Sequence, residues 1–281
     1  MARKLAIFDI DGTIAVKGKI PSSVVDGLRH LQSIGYLTTV STGRGYRRMK
    51  DALAEHFEHV ISPDALIILE HGTKITHRDG RVVQADYFSD AEKDHFVDFI
   101  RANEAMISFA SYSLADSERK IQVWVKSEAD IAPVLEERRE YADVFHESYD
   151  DFKGRLRELD ISHFLAKLES FVVVQNLKLK FTRSAMDLIF MDGYMQFVGS
   201  LSDKAKAIAY LEQFHEVKVA DMLTAGNGIN DIDMLNLPAG MRILVGTDAQ
   251  AENVIGHLKE QQTLTRIESP EALGHYLQTL S

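Results

Sequence analysis

The chain has 281 residues, 45% of them hydrophobic and 26% charged, an ordinary globular composition with room for a sizeable core in one large or two modest domains. It contains no cysteine, which excludes disulfides and thiolate metal sites, and its formal charge of −10 gives a surface that repels nucleic acid and anionic membranes unless a basic patch intervenes. The N-terminal apolar run ends at Phe8, too short for a signal peptide, and no stretch of about 18 apolar residues follows, so the expectation is a soluble, cytoplasmic protein.

In chain order, "KLAIF" (4–8) is a short apolar run that reads as a buried strand. "PSSVVDGLRHLQSIG" (21–35) carries Val24, Val25, Leu28, Leu31 and Ile34 at helical spacing, with Ser22 or Ser23 to cap its start and Gly35 where a helix stops. "YLTTVS" (36–41) is strand-like, "GYRRMKDALAEHF" helical, and "DALIILE" (64–70) another apolar strand. Strand, helix, strand, helix, strand predicts a parallel sheet with crossover helices.

The middle breaks this rhythm. "DGRVVQADY" reads as a turn or hairpin at Asp79-Gly80, and "SDAEKDHFVDFIRAN" (89–103) opens on a capping box of Ser89 and Glu92. "KIQVWVK" (120–126) and "KLKFTRS" (178–184) alternate as strands do, "MDLIFMDG" (186–193) runs from strand into turn, and 150–177 fits helix or strand. An inserted domain over 84–192 is the expectation, within a core of 1–83 and 193–281. The last third resumes the alternation: helix 202–214 with Ser202 as cap, strand 219–226, helical "NDIDMLNL", strand 241–246, helix 249–258 and a closing helix in "ESPEALGHYLQTL".

"IFDIDGT" (7–13) sets Asp9 and Asp11 two apart at the end of the first strand. Residues i and i+2 of a strand share a face, so the two carboxylates converge at the sheet edge where ligands bind in open α/β folds. Their repulsion is relieved by a cation between them or by protonation of one. A solvated turn explains the same residues, and alone "DIDGT" leaves both readings open.

Three further stretches bear on the choice. In "STGR" (41–44), Thr42 offers a hydroxyl and Gly43 an unhindered N–H suited to a phosphate oxygen, although a plain turn accounts for it equally well. "SDKAKA" puts Lys204 at a helix N-terminus, where its charge opposes the dipole unless an anion partners it; a solvated surface lysine is the plain alternative. "GNGINDIDML" (226–235) gathers Asn227, Asn230, Asp231 and Asp233 in one loop and helix start. It lacks the third glycine of a dinucleotide fingerprint and suits a divalent cation better than a pyrophosphate.

In this order, on these elements, the four stretches resemble the haloacid dehalogenase-like phosphohydrolase superfamily. The placement of the insert after the third strand resembles its Cof-type, or IIB, group, and "LEHGTKI" (69–75) is similar to that group's turn before the insert, with His71 where asparagine is usual. The resemblance implies a Rossmann-like, doubly wound parallel core with an inserted α/β cap of the C2 type. It implies Asp9 as nucleophile, Asp11 as general acid and base, Thr42 and Lys204 as catalytic phosphoryl-binding residues, and Gly43, Arg44 and Asn230 as substrate-binding. It implies Mg²⁺ held by Asp9, Asp11, Asn227 and Asp231. Asn227 stands where the family usually has aspartate, so weaker metal affinity follows. In the insert, Lys120, Gln122, Trp124 and Lys126 share one face of "KIQVWVK", which reads either as a solvated sheet face or as a substrate surface on which Trp124 stacks a sugar ring and Lys120 and Lys126 meet anionic groups. The activity implied is a Mg²⁺-dependent phosphatase acting on a small phosphorylated metabolite, sugar phosphates favoured. A phosphomutase and a catalytically weakened phosphometabolite-binding protein are the alternatives.

Overall fold

The computed structural model describes residues 4–114, 120–138, 142–169, 186–191, 193–199, 204–259 and 263–281. In chain order the elements are β1 (Lys4–Phe8), α1 (Ser22–Ser33), β2 (Tyr36–Val40), α2 (Tyr46–Ala52), α3 (Phe57–Val60), β3 (Ile67–Leu69), β4 (Lys74–Thr76) and β5 (Val82–Ala85). There follow α4 (Asp90–Ala102), β6 (Ile107–Leu114), β7 (Ile121–Val125), α5 (Ile131–Arg138), β8 (Ala142–Phe145), α6 (Tyr149–Arg157), β9 (Ile161–Leu168), β10 (Met186–Met191) and β11 (Tyr194–Gly199). The last are α7 (Lys204–His215), β12 (Met222–Gly226), α8 (Ile232–Leu235), β13 (Met241–Val245), α9 (Ala249–His257), β14 (Leu264–Ile267) and α10 (Pro270–Leu277). They divide into two compact units, Met1–Val83 with Asp203–Ser281, and Gln84–Ser202. None of the described helices is long and apolar enough to cross a membrane.

The first unit is built on a parallel five-stranded sheet in the order β14-β13-β12-β1-β2. β1 is an inner strand, apolar from Leu5 to Phe8 because both its faces are covered. Leu5 and Ile7 pack with Ile68, Ile208, Leu211 and Met222, whereas Ala6 and Phe8 pack with Val24, Leu28, Val40 and Ile243. Burying one such side chain contributes about 1.5–3 kcal/mol, so this strand anchors whatever hangs from its end.

Several expectations need correction. α1 is capped by neither Ser22 nor Ser23: its N-cap is Pro21, without a side-chain bond, and the Ser23 hydroxyl donates to the Glu271 carbonyl at 3.1 Å. That contact exists because α1 and α10 cross at glycines, where a Cβ on Gly27 would lie 2.6 Å from the Gly274 carbonyl oxygen. The third strand does not extend the parallel sheet. β3 is three residues long, meets the chain after β2 through a single bridge, Ser41 with Ile68, and turns back antiparallel on β4. β14 adds a parallel edge strand whose sequence, "LTRI", lacks the apolar run of the others.

The second unit is a six-stranded sheet in the order β10-β11-β9-β6-β7-β8, antiparallel apart from the β7–β8 pair. The expected boundary at 192/193 would cut the β10–β11 hairpin, in which Met191 pairs with Tyr194 and Met186 with Gly199, so the unit runs on to Ser202. The uncertain stretch 150–177 resolves into α6 and β9 as far as Glu169, and 170–177 lie outside the described residues. The strand expected at 178–184 and the cap at Ser202 lie outside the described residues. Ser89 and Glu92 form the expected capping box on α4.

The alternation in "KIQVWVK" is real, and both of its faces are covered. Trp124 is 2% exposed in the core formed with Phe96, Tyr112, Phe152 and Phe164, stacks on Phe152 with centroids 5.4 Å apart, and donates its indole N–H to the Glu147 carbonyl at 3.0 Å. The indole packs its large apolar area under α4 and α6, and its one donor finds a partner. Val123 and Val125 take the opposite face with Phe109 and Val134. Lys120 pairs with Asp143 at 3.5 Å and Lys126 with Glu169 at 3.3 Å. Trp124 is therefore buried in the core of this unit, while Lys120 and Lys126 keep part of their side chains in solvent.

Candidate active site

β1 ends at Phe8, and the next N–H, that of Asp9, continues the ladder by donating to the Ala225 carbonyl at 2.9 Å. The chain then turns: the N–H groups of Thr13, Ile14 and Ala15 converge on the Ile10 carbonyl, and Gly12 takes a φ of +83°. A side chain at Gly12 would also collide with the Asn227 amide, so glycine is required twice over. The turn separates the two aspartates expected to converge. Asp9 stays buried, 5% exposed, while the Asp11 side chain stands half in solvent. Their mutual repulsion is the smallest of the effects acting on Asp9.

Each carboxylate has its own cation. Lys204 opens α7, and its buried ammonium lies 3.1 Å from Asp9 Oδ1, 2.5 Å from Asp231 Oδ1 and 2.9 Å from the Ser41 carbonyl. Asp11 is gripped by Arg44, with Nε 2.8 Å from Oδ2 and Nη2 2.7 Å from Oδ1. Bidentate pairing of this kind fixes orientation as well as charge.

Asp231 is fully buried, and both its oxygens are engaged: Oδ1 takes Lys204, and Oδ2 accepts the N–H groups of Asn227 (2.9 Å) and Gly228 (3.0 Å). Gly226 makes room for it, since a Cβ there would lie 2.7 Å from the carboxyl carbon. Asp231 thus ties the loop after β12 to the lysine. Asn230 is half-buried with its amide against Gly228; Lys204 is oriented by Asp231 instead.

Thr13, which the sequence reading passed over, is fully buried with its hydroxyl 3.2 Å from Asn227 Oδ1 and 3.4 Å from Asp9 Oδ2. The threonine of "DIDGT" was the available clue. Beyond β2, Thr42 is buried, and its Oγ1 accepts the Arg44 N–H at 3.2 Å; Gly43 is half-buried beside it.

The electrostatics follow from this packing. Burial pushes the Asp9 carboxyl up to about 7, helped by the Asp231 charge and opposed by Lys204. Burial alone would depress the Lys204 ammonium, but Asp231 and Asp9 together outweigh it and hold it above the usual lysine range. Two buried carboxylates share one ammonium, so the cluster carries an unbalanced negative charge next to further oxygen donors. An oxygen-rich, anionic set of this kind suits a hard cation such as Mg²⁺. Asp9 Oδ2 and Asn227 Oδ1 are two such oxygens, brought together at the Thr13 hydroxyl, 3.4 and 3.2 Å from it. Among the described residues no group of three or more His, Asp or Glu side chains is placed to hold a metal.

Comparison with known proteins agrees with this geometry. The family model for haloacid dehalogenase-like hydrolases matches residues 6–252. An uncharacterized protein of Mycoplasma capricolum is 23% identical over 242 residues, covering 83% of this chain and 87% of its own. Among solved structures, TM0651 from Thermotoga maritima aligns with a TM-score of 0.76 at 14% identity over 99% of this chain and 98% of its own. The subclass IIB sugar phosphatase BT4131 aligns with a TM-score of 0.71 at 16% identity over 96% and 95%. A HAD/COF-like hydrolase from Plasmodium vivax gives 0.75 at 18% over 98% and 94%. With its parallel sheet, its second α/β unit and a family match across most of its length, the chain belongs to the haloacid dehalogenase-like hydrolases.

Proposed function

We propose that this hydrolase is a Mg²⁺-dependent phosphatase acting on small phosphomonoesters, sugar phosphates foremost. The observation that carries the reading is the buried Asp9–Lys204–Asp231 cluster at the carboxyl edge of a parallel sheet, the edge at which such folds bind ligands. The sugar preference rests on the likeness to a subclass IIB sugar phosphatase. The absence of cysteine and the net charge of −10 support a cytoplasmic setting and a small-metabolite substrate.

Asp9 attacks phosphorus through a carboxylate oxygen, the ester P–O bond breaks, and the leaving alkoxide takes a proton from Asp11. Asp11 then removes a proton from water, which attacks the aspartyl-phosphate and frees inorganic phosphate and Asp9. Lys204 and Thr42 bind the phosphoryl oxygens as charge builds on them. Asp9, the Asp11 carbonyl and Asn227, with Asp231 completing or supporting the shell, would hold Mg²⁺, which would screen the Asp9 carboxylate from the anionic substrate and offset charge at phosphorus. Arg44 occupies Asp11 in the free protein. Acid–base work by Asp11 needs that pair to open, and an arriving phosphate is the competing anion that opens it.

The test is phosphate release over a panel of sugar phosphates and other phosphomonoesters, with Mg²⁺ or with chelator. Release that needs Mg²⁺ supports the reading. Transfer of the phosphoryl group within the substrate, with no inorganic phosphate released, would point to a mutase, and binding without turnover to a metabolite-binding protein.

A further inference from the structure

The segment after β3 holds three consecutive residues in the left-handed region: Glu70 (φ 51°), His71 (φ 59°) and Gly72 (φ 100°). Glycine is at home there; glutamate and histidine are not, and two such residues in a row persist only where the surroundings hold them. Both side chains are buried. The Glu70 carboxylate faces the buried Lys74 ammonium at 3.3 Å. The backbone of the turn reaches back to the "STGR" loop, with the Glu70 N–H donating to the Arg44 carbonyl at 3.2 Å and the His71 N–H to the Thr42 carbonyl at 3.1 Å. These two bonds straddle Gly43.

Gly43 supplies the second observation. Its φ lies outside the left-handed region, so its backbone is open to any residue. What bars a side chain is the His71 imidazole, which a Cβ at position 43 would strike at Cε1 and Nε2. The glycine is there because the histidine ring is against it.

We propose that the Glu70–His71–Gly72 turn is the positioning element of the phosphate-binding loop, with the His71 ring as the stop that sets the course of the Thr42–Gly43–Arg44 backbone. The proposal rests on reading that loop as the phosphate site. A left-handed pair of bulky residues admits few alternative conformations, so strain in the turn becomes stiffness in the loop it holds, and the loop meets phosphate without a reorganisation cost. His71 is a positioning residue: it acts through Gly43.

The experiment measures binding of inorganic phosphate by calorimetry in the presence of Mg²⁺, together with kcat and KM on a phosphomonoester substrate, for wild type, Gly43→Ala, His71→Gly and the double variant. Gly43→Ala should weaken phosphate binding and raise KM by about 30-fold or more, with a smaller effect on kcat. The double variant should return to within about fivefold of His71→Gly alone, because removing the ring removes the collision. A Gly43→Ala protein equal to wild type, or a double variant no better than Gly43→Ala, overturns the proposal. If Gly43→Ala does not fold, His71→Asn and His71→Val decide it. Asparagine keeps the left-handed turn but loses the ring and should raise KM about tenfold, and valine, which suits neither, should raise it further; an asparagine variant with the wild-type KM overturns the proposal. A wild-type protein that neither binds phosphate nor hydrolyses any phosphomonoester defeats the phosphatase reading itself. One that does both while Gly43→Ala matches it defeats only the positioning role.

Discussion

Arg44 holds Asp11 by two parallel N–H···O bonds, of 2.7 and 2.8 Å, while Asp9, two residues away, belongs to Lys204. One short stretch therefore feeds two separate ion pairs, one part-exposed and one buried. Substituting Arg44 with alanine frees Asp11 and removes a cation from the rim of the site. Because the pair is part-exposed, stability should change by no more than about 1 kcal/mol. kcat/KM should fall by roughly 100-fold, mostly through KM, if Arg44 trades Asp11 for substrate phosphate. Steady-state kinetics beside urea denaturation separate the two effects, and a large stability loss with intact kinetics would make Arg44 a purely structural residue.

Asn227 is the position that departs from the family pattern, and its carboxamide oxygen sits 3.2 Å from the Thr13 hydroxyl. An aspartate there keeps that acceptor and adds a charge. Asn227→Asp should lower the Mg²⁺ concentration for half-maximal activity by about tenfold, one added charge beside a cation being worth roughly 1–2 kcal/mol after desolvation. The metal-free protein should in turn lose stability, since a third carboxylate joins Asp9 and Asp231. Superimposable Mg²⁺ curves at fixed ionic strength would remove residue 227 from the metal ligands.

The raised pKa of Asp9 makes metal-free stability depend on pH. In the folded protein this carboxyl titrates at about 7, against an ordinary 3.8 in the unfolded chain. Between those values the folded state binds more protons, so stability is greatest below about pH 4 for this group and is lost as pH rises towards 7, with a slope of up to about 1.4 kcal/mol per pH unit. Chemical denaturation in chelator across that window should show the decline, and Asp9→Asn should flatten it. Mg²⁺ should stabilise the protein more at pH 8 than at pH 5, because cation and proton compete for the same carboxylate. A slope of the opposite sign, unchanged in Asp9→Asn, would contradict the burial of an ionised Asp9.

Trp124 belongs to the buried core of the second unit. Trp124→Ala should cost that unit roughly 3–5 kcal/mol. Trp124→Phe keeps the ring packing and should leave KM for sugar phosphates unchanged. A KM rise in the phenylalanine variant without loss of stability would return the residue to the substrate surface.

How much of this was legible in the sequence varied with how local the cause was. "KLAIF" announced a doubly covered strand through its apolar run from Leu5 to Phe8, and "DIDGT" announced a sharp turn after it, because strand burial and glycine turns are written in adjacent residues. The pairing of Lys204 with Asp231 was visible only as two charges in unfavourable places, one at a helix start and one in an acidic loop. What stayed hidden depends on distant partners. Nothing near Gly27 points to Gly274, and nothing near Gly43 points to the ring of His71. The alternation in "KIQVWVK" gave two faces but not that both are covered, the valine face by α5 and the Trp124 face by α4 and α6. Asp9 and Asp11 share a face only while the strand lasts, and it ends before either.

Most direct is the measurement made on Asp9 itself: phosphate release from a sugar phosphate in Mg²⁺, for wild type and for rigorously purified Asp9→Asn, with intact mass after acid quenching. Wild type should turn over and carry a phosphoryl group on the chain when trapped. Asp9→Asn should fold, lose at least about a thousandfold in kcat as expected for a missing nucleophile, and carry none. Substantial turnover by Asp9→Asn, or a wild-type enzyme that turns over with no trapped phosphoryl group, would contradict an aspartyl-phosphate route through Asp9.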